Sequence, residues 1–230
     1  DALQGGETLT LSGSGTVGDE NVANGQGITL GTLALVDGTG LASNYSLNSA
    51  SLNITQKTVN LSGSKIYEAN TTFDNSIVNI SSGLIGSETL NLTGVVNTNS
   101  ANVNTYSASG GTLNGGSTSI ALADGTNGGL ASNYTINDGV FTITKKTISV
   151  SGARLYDATT DAVASDLTTI SGLVGSETLT LSGSGTLSDA NVADNKTVSL
   201  NTLSIADNTG LAANYTISGG THQLTVNQRP

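Results

Sequence analysis

The chain of 230 residues contains no cysteine, no methionine and no tryptophan, and a single proline and a single histidine. Without cysteine there are no disulfide staples and no thiolate metal sites. The same absence suits both a cytosolic protein and a secreted one that crosses an envelope unfolded. Charge is scarce too: 10% of residues are charged, against about 25% in an ordinary domain. With 17 acidic and 7 basic side chains the net charge is −10. A phosphate backbone is held by a basic footprint, so nucleic acid is excluded as a partner. No apolar run reaches the roughly 20 residues of a transmembrane helix, so no membrane insertion is expected of this segment. Lys, Glu, Gln, Arg and Met are too few to cover exposed helix faces. What fills the chain is Ser, Thr, Asn, 30 Gly and strand-favouring Val, Ile and Thr.

What is present is repetition. The hexapeptide GLASNY at Gly40 to Tyr45 returns at Gly129 to Tyr134, and as GLAANY at Gly210 to Tyr215. Other markers recur in the same order. GGETLTLSGSG (Gly5 to Gly15) becomes GSETLNLTG (Gly86 to Gly94) and GSETLTLSGSG (Gly175 to Gly185). DENVA at Asp19 matches SANV at Ser100 and DANVA at Asp189, a segment short enough for one helical turn. KTVNLSGSKIYEANTT (Lys57 to Thr72) matches KTISVSGARLYDATT (Lys146 to Thr160), with Tyr67 and Tyr156 in register. Glu7, Glu88 and Glu177 are spaced by 81 and then 89 residues, Tyr45, Tyr134 and Tyr215 by 89 and then 81. The extra residues of the longer copy fall in the Gly/Ser/Asn-rich region 104–119, expected to be an enlarged surface loop.

Each copy reads as strands. ETLTLSG, NYTIN and FTITKKTISVSG alternate apolar and polar residues between Gly, Asn and Asp clusters. About seven short strands per copy predict an all-β fold of tandem immunoglobulin-like β-sandwich repeats of about 81–89 residues, elongated as a string. Ile143 against Ile148 and Val150, and Ile54 against Val59 and Leu61, break strand parity, so the chain changes sandwich near Gln56-Lys57 and Lys145-Lys146. The resulting domains are 1–56, a partial copy lacking its N-terminal third; 57–145, a full copy with the enlarged loop; and 146–230, a full copy ending at the next boundary. That register predicts a segment of a longer array. A right-handed β-helix would show rungs of roughly 20 to 25 residues, and no such period is present.

Taken together, the K-x-Y-D/E-x-T-T run at Lys65 to Thr72 and Arg154 to Thr160, the G-x-E-T-L-T-L-S-G run, the D-x-N-V segment and the closing N-Y-T-I with I-T-x-K resemble the YDG repeats of large Gram-negative surface adhesins of the filamentous haemagglutinin type, often exported by two-partner secretion. The resemblance implies a secreted, outer-membrane-associated stalk at the bacterial surface, serving adhesion to cells, host or biofilm matrix. Its partners would be adjacent repeats of the same chain and a host or matrix glycan or protein. Ala69 and Ala158 stand where the namesake Gly stands, Asn70 replaces one Thr, Ser100 replaces the Asp of the middle D-x-N-V, and Arg154 replaces Lys. Ala at the Gly position predicts a turn that does not need positive φ.

Catalysis finds little support. His222 belongs to no repeated constellation, so it reads as structural, and an activated Ser or Thr nucleophile needs an oriented base beside it. Glu7, Glu88 and Glu177 are the carboxylates a glycan-processing enzyme would use, but three identical active sites in tandem are improbable, and a strand-start surface charge is the simpler reading. No P-loop pattern occurs. No catalytic or cofactor-binding residue is assigned. Calcium is the one ion with candidates: Asp37, Asp124 and Asp207 each sit in a Gly/Asn turn before the hexapeptide, although Asp in such turns also bonds its own backbone without an ion. The repeated tyrosines read as core anchors with hydroxyls at the rim. A lectin-like module using the enlarged loop is the alternative binding function. Nine N-x-S/T sequons are close to what this composition provides by chance. Thr pairs scattered over several strands do not make the regular ladder an ice-binding face needs.

Overall fold

A computed structural model describes residues 3–109, 112–113 and 116–230. The protein is all-β, with several open sheets of short strands. Among the described residues there is no α-helix, and no helix is long and apolar enough to cross a membrane. Contacts divide the chain into two compact units, one of residues 1–59, 82–91 and 122–136, the other of 60–81, 92–121 and 137–230.

In the first unit Leu9–Ser12 pairs antiparallel with Ala34–Asp37. Ala23–Thr29 lies between Thr16–Val17 and Ser51–Ile54, with a register shift between Ala23 and Gln26. Leu11, Val36 and Leu52 remain exposed, Val36 opposite the exposed Thr10.

The second unit holds a four-stranded sheet in the order Thr169–Ser171, Ser149–Leu155, Gln223–Asn227, Ala193–Thr197. Ser149–Leu155 and Gln223–Asn227 run parallel, pairing Gly152 with Leu224 and Arg154 with Val226. Asp161–Val163 pairs with Ser184–Thr186, and Leu179–Ser182 with Ser204–Asp207. Val150, Leu224 and Val226 from the large sheet meet Ala162, Leu167, Leu187, Val198 and Leu203 in one buried cluster. The period-2 alternation drives this burial: in Leu179–Ser182 the leucines point inward and Thr180 outward. Gly152 is forced by packing, since a Cβ there would lie 1.8 Å from the Asp166 carbonyl oxygen. At its counterpart Gly63 a Cβ would sit 3.1 Å from both Phe73 and Phe141, whose rings meet edge to face at 5.4 Å.

Three sequence expectations are corrected or refined. Ala69 and Ala158 do adopt positive φ, 56° and 66°, so the turn keeps the left-handed geometry of the namesake Gly and these alanines bear its cost. Lys65 and Arg154 brace it: Lys65 Nζ donates to the Thr72 carbonyl at 2.7 Å and Arg154 to the Thr159 carbonyl at 2.7 Å. Secondly, Asp189 to Ala193 forms no helical turn. Its side chains are spent on a bend in which Asp189 Oδ1 accepts the Asn191 N–H at 2.8 Å, and the single 3-10 turns lie instead at Ala42–Asn44, Ala131–Asn133 and Ala212–Asn214. Thirdly, region 104–119 is not all loop: Asn104–Ser109 pairs with Tyr134–Thr144 and with Thr112–Leu113, its Thr-Tyr alternation suiting a strand. Residues 110–111 and 114–115 of that region lie outside the described residues.

Strands break at Thr55-Gln56 and at Lys145, where the parity changes. Val59, Leu61, Ile143, Ile148 and Val150 are all buried.

Candidate functional site

The repeated polar residues converge on one construction, made three times. The first Gly of each hexapeptide leads into the 3-10 turn, whose first N–H is capped by the preceding aspartate: Asp37 Oδ1 accepts from Ala42 at 2.7 Å, Asp124 from Ala131 at 2.8 Å and Asp207 from Ala212 at 2.6 Å. The three calcium candidates thus hold three separate turns and are not brought together. Among the described residues no group of three or more His, Cys, Asp or Glu gathers at a metal-binding distance.

The turn delivers the tyrosine onto the repeated glutamate. Tyr45 donates to Glu7 at 2.6 Å, Tyr134 to Glu88, and Tyr215 to Glu177 at 2.5 Å. Each hydroxyl also accepts a backbone N–H three residues before that glutamate, from Gln4 at 3.1 Å, Ile85 at 3.2 Å and Val174 at 3.0 Å. The hexapeptide glycine leaves little room for a side chain. A Cβ at Gly40 or Gly210 would lie 2.8 Å from the glutamate Oε2, and at Gly129 1.9 Å from the Thr89 carbonyl oxygen.

Glu177 takes a second tyrosine. Its Oε1 accepts the Tyr67 hydroxyl at 2.6 Å from a residue 110 positions earlier, and the Tyr67 and Tyr215 rings meet edge to face at 5.4 Å. Burial, followed by donation to Glu177, pushes both hydroxyls up to about 12. Burial and Glu88 raise Tyr134 in the same direction, and for Tyr45 the bond to Glu7 is the main cause. All four therefore remain protonated donors at neutral pH. Both oxygens of Glu177 thus accept tyrosine hydroxyls.

Beside the tyrosine, the hexapeptide Asn reaches the D-x-N-V segment of the preceding copy. Asn133 Oδ1 accepts the Val22 N–H at 2.9 Å, while its Nδ2 donates to Asn21 Oδ1 at 2.7 Å. Asn214 repeats both bonds with Val103 and Asn102, each at 2.9 Å. The separations, 111 and 112 residues, are the same in both joints. Asn214 is 1% exposed, a buried amide whose polar atoms are matched. The receiving segment is braced from behind: Gln26 Nε2 donates to the Asn21 carbonyl at 2.8 Å, the Tyr106 hydroxyl to that of Asn102 at 2.5 Å, and Lys196 Nζ to that of Asn191 at 2.9 Å.

A cavity of about 160 Å³ lies beside Glu88, Tyr134, Asn21 and Asn133. Their counterparts Glu177 and Tyr215 are the groups that hold Tyr67.

His222 is 6% exposed, and its Nδ1 accepts the Val150 N–H at 3.3 Å while Nε2 faces the Ile217 carbonyl at 2.7 Å. It ties the strand Ser149–Leu155 to the segment that follows Tyr215–Thr216. Of the repeated tyrosines, Tyr67, Tyr134 and Tyr215 are buried, whereas Tyr156 is 38% exposed. The role of Glu7, Glu88 and Glu177 as tyrosine acceptors was not read from sequence, nor was the asparagine pairing. The available signal was that Glu, Asn and Tyr recur in one fixed register.

No curated protein and no solved structure matches the chain. The YDG domain family matches residues 140–223, from within the strand Tyr134–Thr144 to the start of the strand Gln223–Asn227, so a YDG domain is found in this stretch.

Proposed function

We propose that the chain is a non-enzymatic structural segment of a secreted bacterial surface adhesin, a stalk of tandem immunoglobulin-like sandwiches that supports adhesion to cells, host or biofilm matrix. The observation that carries this reading is the pair of equivalent joints, in which Asn133 and Asn214 each engage a D-x-N-V segment 111 and 112 residues away. A rule that sets each copy on the one before it is what an array needs and an isolated binding domain does not. The carboxylates that an enzyme would require accept tyrosine hydroxyls, buried ones at Glu88 and Glu177. The surface role itself comes from the likeness of the whole set of motifs to haemagglutinin-type YDG repeats, and the boundaries 1–56, 57–145 and 146–230 follow from the same register.

Small-angle scattering of the dilute chain, with calcium and then with a chelator, tests the reading. The expected profile is that of a thin rod unchanged by chelation. A compact particle would overturn it, and a rod that softens without calcium would transfer the rigidifying role to Asp37, Asp124 and Asp207.

A further inference from the structure

We propose that Tyr156, Asn191 and Val192 form an open docking face that receives the Asn44 turn and the Glu7 carboxylate of a second copy of this chain. This deepens the stalk reading and rests on it for the equivalence of the three copies.

Each member of the face has a counterpart that is already filled. Asn21 and Asn102 accept the amide of an incoming asparagine, and Val22 and Val103 donate their N–H to it. Asn191 and Val192 occupy the same places in the last copy, yet Val192 is 45% exposed where Val22 and Val103 are half-buried. Tyr67 donates to Glu177 and is 4% exposed; its counterpart Tyr156 is 38% exposed. The complementary face stands at the other end of the sequence. Asn44 has the same 3-10 turn as Asn133 and Asn214 and is exposed, and Glu7 uses Oε2 for Tyr45 as Glu177 uses Oε2 for Tyr215.

The receiving face is also preformed. Asp189 Oδ1 holds the Asn191 N–H as Asp19 Oδ1 holds that of Asn21 at 2.9 Å, and Lys196, whose side chain is 8% exposed, clamps both Asp189 and the Asn191 carbonyl. The Tyr156 backbone is fixed by the Asn227 carbonyl at 2.9 Å, as Tyr67 is by that of Thr144 at 2.9 Å. Arg229 Nε donates to the Tyr156 carbonyl at 2.8 Å, setting a cation beside the site where the Glu7 carboxylate arrives. Rigid partners lose little freedom on docking, which favours association through few contacts. Because the two faces differ, the contact is heterologous, and each one made leaves one face of either kind unfilled for a further copy.

The test is sedimentation velocity and amide-resolved NMR on the full chain from about 20 μM to about 2 mM, the range in which a joint normally aided by a covalent tether is expected to register. Physiological salt keeps the repulsion between chains of like net charge short-ranged. The expected result is concentration-dependent oligomers, with shifts at Asn44, Val192 and Asn191. Asn44→Ala alone, and Tyr156→Phe with Asn191→Ala, should each weaken self-association about tenfold or more. A 1:1 mixture of the two variants retains one good head and one good tail, and should form dimers that do not grow. All three positions are exposed, and unchanged thermal unfolding of each variant shows that folding is intact. A wild-type chain that stays monomeric across the range, or an Asn44→Ala chain that associates like wild type, overturns the proposal. Either result leaves the dilute scattering profile, and with it the stalk reading, to be judged separately.

Discussion

Glu177→Ala removes one carboxylate and strands two buried hydroxyls. Tyr67 and Tyr215 are 4% and 1% exposed, and they donate to Glu177 at 2.6 and 2.5 Å. A hydrogen bond to a charged group contributes a net ~1.5 to 3 kcal/mol, and an unpartnered buried donor adds its own desolvation cost. Two such bonds place the loss at about 4 kcal/mol, reduced somewhat because the glutamate itself is half-buried and water can enter. Glu88→Ala breaks one bond of this kind, to Tyr134, and should cost about 2 kcal/mol. Glu7→Ala breaks one bond to the half-exposed Tyr45 and should cost about 1 kcal/mol or less. The three substitutions thus form a graded series at sequence-equivalent positions. Urea unfolding followed by far-ultraviolet circular dichroism and tyrosine fluorescence gives the order, provided the slope of each transition is unchanged. A double-mutant cycle with Tyr67→Phe isolates the contact between copies, with an expected coupling of about 2 kcal/mol. If Glu177→Ala costs no more than Glu7→Ala, the carboxylate does not hold the joint, and the argument from its two tyrosines fails.

Four further outcomes are expected. Ala158→Gly relieves a left-handed alanine worth ~1 to 2 kcal/mol but loosens the unfolded chain, so the net gain should be about 0.5 to 1 kcal/mol by chemical denaturation; a loss would mean that the turn does not carry strain. Asp207→Ala uncaps the turn at Ala212 and should cost about 1 kcal/mol equally in calcium and in chelator, whereas a penalty confined to calcium would assign the aspartate to an ion. Gly210→Ala drives a Cβ to 2.8 Å from the Glu177 Oε2 and should weaken the same tyrosine contacts, seen as a lower unfolding midpoint and an earlier tyrosinate titration. Tyr67 and Tyr215 have folded values raised to about 12 from an ordinary value near 10; their contribution is complete below about pH 10 and is lost as pH rises toward 12, so their ionisation at 295 nm should come late and in step with unfolding.

Much of this architecture is written in the alternation of apolar and polar residues. Leu9 and Leu179 open strands because Thr-Leu alternation has the period of a pleat, and the parity change between Ile143 and Ile148 marks where one strand ends. The glycine of the hexapeptide is visible as a recurrence, but what crowds it, a glutamate side chain at Gly40 and Gly210 and the Thr89 carbonyl at Gly129, requires a fold. The left-handed Ala69 and Ala158 went the other way: residue type argued against positive φ, and the brace from Lys65 and Arg154 outweighed it. The asparagine pairing was hidden for a geometric reason. Copies repeat every 81 or 89 residues, but the partners in a joint are 111 or 112 apart, because each bond links one position of a copy to a different position of its neighbour. Self-similarity reveals equivalent positions and does not reveal complementary ones.

The parallel course of Ser149–Leu155 and Gln223–Asn227 gives the last copy a particular response to tension. A pull applied at the entry of the first of these strands and at the exit of the second acts along the sheet. The rungs from Ser151–Gln223 to Leu155–Asn227 are then loaded all at once, and none can yield ahead of the others as in a zipper opened from one end. A chain strung from such copies would extend little until the force suffices to shear the whole set, and would then give way one copy at a time.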